Sequence, residues 1–174
     1  DGSDAVTAVS RDLIRETADV LGVRRSIELV YNFVDMREYY PRDCSRCRAE
    51  FAPSGEKILM HISNFRPVKR VGDVVDVFRR VNEELPARLV LIGEGPELGA
   101  TVRRVRELGL EDKVIFLGKR EEVAELLSTA DIMLLPSEKE SFGLVALEAM
   151  ACGVPTVGSR AGGIPEVVAH GVTG

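Results

Sequence analysis

The chain has 174 residues, of which 45% are hydrophobic and 29% charged, and a net charge of −5. That balance fits a soluble globular protein with a sizeable core, and the acidic excess excludes a general nucleic-acid surface, which needs clustered Lys and Arg. No apolar run approaches the about 20 residues of a membrane-spanning helix, and the opening residues Asp1 to Asp4 carry neither the basic nor the apolar part of a signal peptide.

In chain order, Val6 to Val9 reads as a strand. Ser10 is a good N-cap for a helix over Arg11 to Leu21, and Gly22 supplies its stop. Ile27 to Val30 is a second strand. From Tyr31 to Pro53 periodicity is lost and Tyr39, Tyr40, Pro41 and Pro53 accumulate, the composition of a connector. Three cysteines make no disulfide framework, which points to a reducing cytoplasm. Cys44 and Cys47 form a lone Cys-x-x-Cys without the further ligands zinc needs, and they read as incidental loop cysteines. Cys152 reads as a small buried residue.

From residue 57 onward short apolar runs alternate with helical periods. Ile58 to Ile62, Leu89 to Ile92, Val114 to Leu117, Ile132 to Leu135 and Pro155 to Val157 are strand candidates. Between them, helical stripes run from Val71 to Val81, from Leu98 to Leu108 with Gly109 as stop, around Val123 to Leu127, and from Leu144 to Met150; a last one covers Pro165 to Ala169. Continuous rather than alternating apolar strands belong to a parallel sheet covered on both faces. The fold class is therefore α/β, a doubly wound, Rossmann-like parallel sheet. Residues 1–34 are expected to be the end of one domain, 35–53 a linker, and 54–174 a second domain. Both domains are expected to be incomplete, the chain being cut from a longer one; the alternative is a small domain with an N-terminal helix.

Such sheets bind ligands at the carboxyl ends of their strands, and four loops lie there. Ser63 to Arg70 places Arg66, Lys69 and Arg70 within five residues, a donor set for phosphate oxygens or else a solvated basic loop. The Gly93-Glu-Gly-Pro turn lacks any dinucleotide or P-loop fingerprint and reads as a tight turn. Gly118-Lys-Arg-Glu is ordinary in composition. The fourth loop is the informative one. Glu140 lies in it, and Ser141, Phe142 and Gly143 lie at the N-terminus of the next helix, a natural anion site. That helix is apolar almost all round and is expected to be buried. Glu148 is the exception, and it needs either a Lys or Arg partner or an opening onto a ligand. Gly162 and Gly163 make another turn, Pro165 suits a first helical position, and Glu166 could be an ordinary first-turn acid. His61 reads as a core residue and His170 as a surface one, with no partners at metal spacing.

Glu140 and Glu148 at Glu-x7-Glu spacing, Phe142-Gly143, Glu148 to Pro155 and Gly162 to Glu166 together resemble the retaining GT-B glycosyltransferases of family 4. The likeness runs from about residue 4 to the end and is most specific over 131–168. It implies that this is the C-terminal, nucleotide-sugar-binding domain, preceded by the exit of an N-terminal domain that binds the acceptor. It also implies roles: Glu140 accepts from donor-sugar hydroxyls, Ser141, Phe142, Gly143 and Leu144 supply backbone near sugar and phosphate, and Glu148 holds the ribose. Arg66 and Lys69 would bind the diphosphate and stabilise its charge as the glycosidic bond breaks. The base would lie near Gly118 and Lys119. No cofactor and no divalent metal is implied. Many relatives carry Arg where Asn64 stands, which leaves open whether Arg66 takes over that contact.

The run Ser63 to Val71 is most similar to the branch of this family that serves bacillithiol biosynthesis, which implies UDP-N-acetylglucosamine (UDP-GlcNAc) as donor and L-malate as the small acceptor. Another donor such as GDP-mannose, a nucleotide-sugar epimerase and a non-catalytic sensor are the alternatives, and a nicotinamide dehydrogenase would need the missing glycine fingerprint. With the acceptor domain nearly absent, the chain is expected to bind donor weakly and not to turn over.

Overall fold

The computed structural model describes residues 2–174. The first elements are β1 (Thr7–Ala8), α1 (Arg11–Leu21) and β2 (Glu28–Leu29). The two strands pair in parallel as a small sheet of their own. α1 starts and stops where its caps dictate: the Ser10 hydroxyl accepts from the Leu13 N–H at 3.0 Å, and Gly22 takes the left-handed conformation at φ 63°.

The connector is not structureless. Ser45–Phe51 forms a helix, α2, which the loss of periodicity hid. Tertiary contacts specify it, because a seven-residue helix has little stability alone. Arg48 projects from it and donates to the Thr129 carbonyl (2.6 Å), the Glu56 carbonyl (3.1 Å) and Asp131 Oδ2 (2.7 Å). The reading of Cys44 and Cys47 as loop cysteines is corrected accordingly. Cys44 is the buried residue that caps α2, and Cys47 lies within it; the thiols donate to the carbonyl and carboxylate of Glu125.

The remaining strands are β3 (Lys57–Ile62), β4 (Ala87–Ile92), β5 (Val114–Gly118), β6 (Ile132–Leu135) and β7 (Thr156–Gly158). All pair in parallel, in the order β5-β4-β3-β6-β7. The helices are α3 (Val71–Glu84), α4 (Leu98–Glu107), α5 (Ala124–Leu127), α6 (Leu144–Ala151) and α7 (Ile164–Val167). Side chains of the central strands alternate between two cores. Leu59, Leu89 and Leu91 pack with Val74, Phe78 and the rest of the α3–α4 layer. Met60, Val90, Ile92 and Met133 pack on the other face with Leu127 and Ala149. Phe78 is fully buried, so Phe78→Ala is expected to cost about 3–5 kcal/mol. Both faces are covered, which is why the strands read as unbroken apolar runs. The described residues include no helix long and apolar enough to cross a membrane.

The chain winds outward from β3 to β5, then returns to add β6 and β7 on the other side of β3. The carboxyl ends of β3 and β6 therefore flank the switch point, where an open α/β sheet leaves a crevice. One expectation needs correcting here. α6 is not buried all round: Ala146 and Ala149 are, but Leu144 at its start is 40% exposed and Glu148 is half-buried.

Candidate functional site

The loop after β3 is held in an unusual path by its neighbours. His61, fully buried at the end of β3, puts Nδ1 2.9 Å from the Leu134 carbonyl and Nε2 2.8 Å from the Ser63 hydroxyl. A carbonyl only accepts, so Nδ1 carries the proton and Nε2 accepts from Ser63. Burial, together with the nearby positive charge of Lys69, lowers the His61 pKa to about 4 against the pull of the Leu134 carbonyl. The Ser63 oxygen in turn accepts from the Phe65 N–H at 3.3 Å. Phe65 sits at φ 35° with its ring fully buried, and Arg70 sits at φ 52°. Between them Pro67–Lys69 forms a 3-10 turn that aims Lys69 inward and leaves Arg66 exposed.

The Gly93-Glu-Gly-Pro turn is what permits this path. A Cβ on Gly93 would lie 1.8 Å from the Ser63 carbonyl oxygen, and one on Gly95 would lie 2.1 Å from that of Asn64. The Glu97 N–H also donates to the Phe65 carbonyl at 2.9 Å. Close backbone approach, rather than turn geometry alone, requires these two glycines. The sequence reading underrated them, because the partner loop lies about 30 residues upstream. Gly118 and Lys119 adjoin the same turn: the Lys119 N–H points at Glu94 Oε1, 3.4 Å away.

The loop after β6 closes the crevice from the other side. The Glu138 N–H donates to the Val68 carbonyl at 2.8 Å, joining this loop to the 3-10 turn. Beyond it, Lys69 Nζ meets Glu140 Oε2 at 2.5 Å, with both side chains only 18% exposed. Two residues assigned separate roles from sequence are thus each other's partners. Gly143 stands at φ 98° as the N-cap of α6, where a side chain would be strained. Ser141 is exposed beside it, while Phe142 and Gly143 are buried.

Gly162 and Gly163 support that loop from beneath. A Cβ on Gly162 would fall 1.9 Å from the Glu140 carbonyl oxygen, and one on Gly163 would fall 2.5 Å from that of Ser141. The Gly163 N–H donates to the Glu140 carbonyl at 2.8 Å.

Glu148 lies one helical turn further along α6 and forms no ion pair among the described residues, so the Lys or Arg partner that sequence left open is not what holds it. Its neighbour is Tyr39 of the connector. Burial and the negative charge of Glu38 raise the Glu148 pKa, and hydrogen bonding with the Tyr39 hydroxyl opposes the rise. Burial, followed by the carboxylates of Glu148 and Glu38, pushes Tyr39 up to about 12, so it stays a donor. Tyr39 carried no motif and was missed. Among the described residues no group of three or more His, Cys, Asp or Glu is placed to hold a metal ion. The crevice therefore offers an exposed guanidinium, an ion pair with its lysine end turned inward and the start of a helix, and Glu148, an acid with raised pKa, lies one turn further along that helix.

The family described as glycosyl transferases group 1 matches residues 47–174. The N-acetyl-alpha-D-glucosaminyl L-malate synthase of Bacillus anthracis is 56% identical over 173 residues, which are 99% of this chain and 45% of that protein. The D-inositol 3-phosphate glycosyltransferase of Mycolicibacterium smegmatis is 38% identical over 160 residues, 87% of this chain and 36% of that protein. The chain spans less than half the length of these relatives. Among solved structures, Anabaena Alr3699/HepE in complex with UDP-glucose superposes at a TM-score of 0.88 with 28% identity, covering 99% of this chain and 49% of that one. The glycosyltransferase WaaG, at TM-score 0.81 and 18% identity over 95% of this chain and 47% of that one, shares the fold. With the doubly wound sheet of the GT-B enzymes and a family match over residues 47–174, well over half of its length, the chain belongs to the group 1 glycosyl transferases.

Proposed function

We propose that this chain is the donor-binding side of a retaining transferase that moves N-acetylglucosamine from UDP-GlcNAc to L-malate. The observation that carries the reading is the convergence of the β3 and β6 loops, joined by Lys69 and Glu140, at the open N-terminus of α6. The synthase from B. anthracis, 56% identical, supports the sugar and the acceptor, and the UDP-glucose complex of Anabaena HepE supports a UDP donor.

In this reading the diphosphate lies between the 3-10 turn and the first turn of α6. Arg66 forks onto its oxygens, and Lys69 swings from Glu140 to the phosphate as donor enters. Glu140, released, accepts from sugar hydroxyls. The backbone of Ser141, Phe142, Gly143 and Leu144 lines the sugar and phosphate, and the free N–H groups there favour negative charge. Glu148 takes the ribose hydroxyls, an outlet for an acid that burial otherwise disfavours. The base rests against Gly118 and Lys119. When the bond from the anomeric carbon to the diphosphate breaks, its electron pair goes to the leaving UDP, and Lys69 and Arg66 stabilise that charge. The residues of the crevice supply cations where other transferases use a divalent metal, and no metal or cofactor is part of this proposal. The acceptor would be bound by an N-terminal domain of which 1–34 are the end, so this chain alone binds donor without transferring it.

A second reading keeps the donor side and changes the acceptor to an inositol phosphate, on the strength of the 38% identical relative. Calorimetry of this chain with UDP-GlcNAc, UDP-glucose and GDP-mannose, repeated for Lys69→Ala and Glu148→Ala, tests the donor assignment. It fails if none of the three binds, or if neither substitution weakens binding. Supplying malate or inositol 3-phosphate to a full-length enzyme carrying this sequence separates the two acceptors.

A further inference from the structure

α1 begins with N–H groups that its own cap does not fully satisfy. Ser10 holds the N–H groups of Leu13, through its hydroxyl, and Ile14, through its carbonyl. The two before them donate outward, across about 155 residues of sequence, to a single carboxylate. Arg11 N–H meets Glu166 Oε2 at 2.9 Å and Asp12 N–H meets Oε1 at 3.0 Å. Glu166 thus does more than complement its own short helix. Its carboxylate completes the N-terminus of α1, where the helix dipole adds to the attraction. Burial alone would raise the Glu166 pKa, yet these two N–H groups and the Tyr31 hydroxyl hold it below the usual glutamate range.

The same carboxylate is tied to the donor loop by two short routes. Tyr31, just after β2, donates to Glu166 Oε2 at 3.1 Å, and its ring packs on Phe142 with centroids 6.0 Å apart. Glu166 also lies in the first turn of α7, which starts at the Gly162–Gly163 turn packed beneath Glu140 and Ser141. Lys139 of the donor loop forms an ion pair with Glu16 of α1 nearby. Two segments far apart in sequence, β1–α1–β2 and the loop of Glu140, therefore meet at one acid.

We propose that Glu166 is a positioning residue, a latch through which occupancy of the donor loop is coupled to the placement of the β1–α1–β2 segment. The coupling to donor rests on the functional reading above; the hold on α1 does not. A donor that draws Glu140 away from Lys69 shifts the loop lying directly on the Gly162–Gly163 turn. Phe142 and α7 then carry that shift to Tyr31 and Glu166. Contiguous packed groups of this kind can transmit a shift between two sites, but only a measured coupling establishes that they do.

Amide hydrogen exchange on this chain reads the latch directly. In Glu166→Ala, protection at Arg11 and Asp12 is expected to fall by about tenfold, while Leu13, Ile14 and the strands β3 and β4 keep theirs. Glu166→Gln, whose amide oxygen still accepts, should fall in between and guards against a variant that folds poorly. Unchanged protection at Arg11 and Asp12, or an equal loss throughout α1 and the sheet, overturns the latch. Saturating UDP-GlcNAc should then change protection at Arg11 and Asp12 in the parent chain and leave Glu166→Ala unaffected. Binding without any such change overturns the coupling. If UDP-GlcNAc, UDP-glucose and GDP-mannose all fail to bind, the functional reading falls and the coupling with it, while the ligand-free comparison still decides whether Glu166 holds α1.

Discussion

Lys69 and Glu140, 71 positions apart in the chain, neutralise each other across the switch point at 2.5 Å. The cation proposed for phosphate and the acid proposed for sugar therefore satisfy each other. This avoids leaving either charge unpaired in a site where both side chains are only 18% exposed. It also means that the two groups compete with any ligand for part of each other's hydrogen-bonding capacity.

Glu140→Gln separates those two demands. The substitution frees Lys69 for the proposed phosphate contact but weakens the proposed acceptor of sugar hydroxyls. UDP alone is expected to bind more tightly to the variant, by a factor of about 3–10, and UDP-GlcNAc to gain less or lose affinity. Calorimetric titration with the two ligands measures the difference, and an equal change for both would sink the exchange of partners. A double-mutant cycle of Lys69→Ala with Glu140→Ala, read by urea unfolding, should return a coupling of about 1 kcal/mol, between exposed and fully buried pairs.

The Gly162 turn is expected to tolerate no side chain. Gly162 combines φ 57° with a Cβ position 1.9 Å from the Glu140 carbonyl oxygen, so alanine there must displace the loop of Glu140. Gly171, at φ 74° with open space around its Cβ position, carries the backbone strain without the clash. Gly171→Ala should cost about 1 kcal/mol in urea unfolding and Gly162→Ala about 2–4 kcal/mol. Donor affinity should drop in Gly162→Ala alone. Equal costs at the two positions would show that the close approach to Glu140 contributes nothing.

His61 makes stability depend on pH in a window set by its burial. Its pKa falls from 6.5 to about 4 in the folded chain, so between those values the unfolded state binds more protons than the native state. Stability is fully present above pH 6.5 and is lost as pH falls toward 4, by up to about 3 kcal/mol from this residue. His61→Asn removes that contribution and the loss with it. Urea unfolding at pH 7 and pH 4.5 should therefore show a smaller decline for the variant than for the parent chain. A decline of the same size would place the pH sensitivity elsewhere.

The fold was legible because its signals are local. Leu98, Val102, Val105 and Leu108 repeat at helical spacing, Ser10 and Gly22 cap what they should, and Ile132 to Leu135 is an unbroken apolar run. The helix over Ser45–Phe51 was not legible, because what holds it lies far off in the chain: Arg48 reaches Thr129 and Asp131, about 80 residues away, and Phe51 packs on the core beside Leu127. At the site, the residue types at the carboxyl ends of β3 and β6 were readable from charge and glycine placement. Their partnerships were not. Nothing local in sequence joins Lys69 to Glu140, Gly93 to Ser63, or Glu166 to the first turn of α1. The first two pairings come from the winding order of the five-stranded sheet, which brings loops together regardless of their distance in the chain; the third comes from the packing of the β1–α1–β2 segment against α7.

Glu148 is an acid that the folded chain tolerates rather than uses for stability. Burial and the charge of Glu38 raise its pKa, and the Tyr39 hydroxyl only partly offsets them. Between the ordinary glutamate value and the raised one the native state binds more protons than the unfolded state, so stability falls as pH rises through that window. Glu148→Gln removes a charge that costs stability at neutral pH. The variant is expected to be more resistant to urea than the parent at pH 7, with the gap closing as pH falls to 4. The same variant should bind UDP at least about tenfold more weakly, because a neutral amide replaces the carboxylate proposed to accept from the ribose. Stability and affinity would then move in opposite directions at one residue, as at sites where function keeps a group that packing alone would discard. A variant that loses stability and keeps its affinity would instead mark Glu148 as a structural partner of Tyr39.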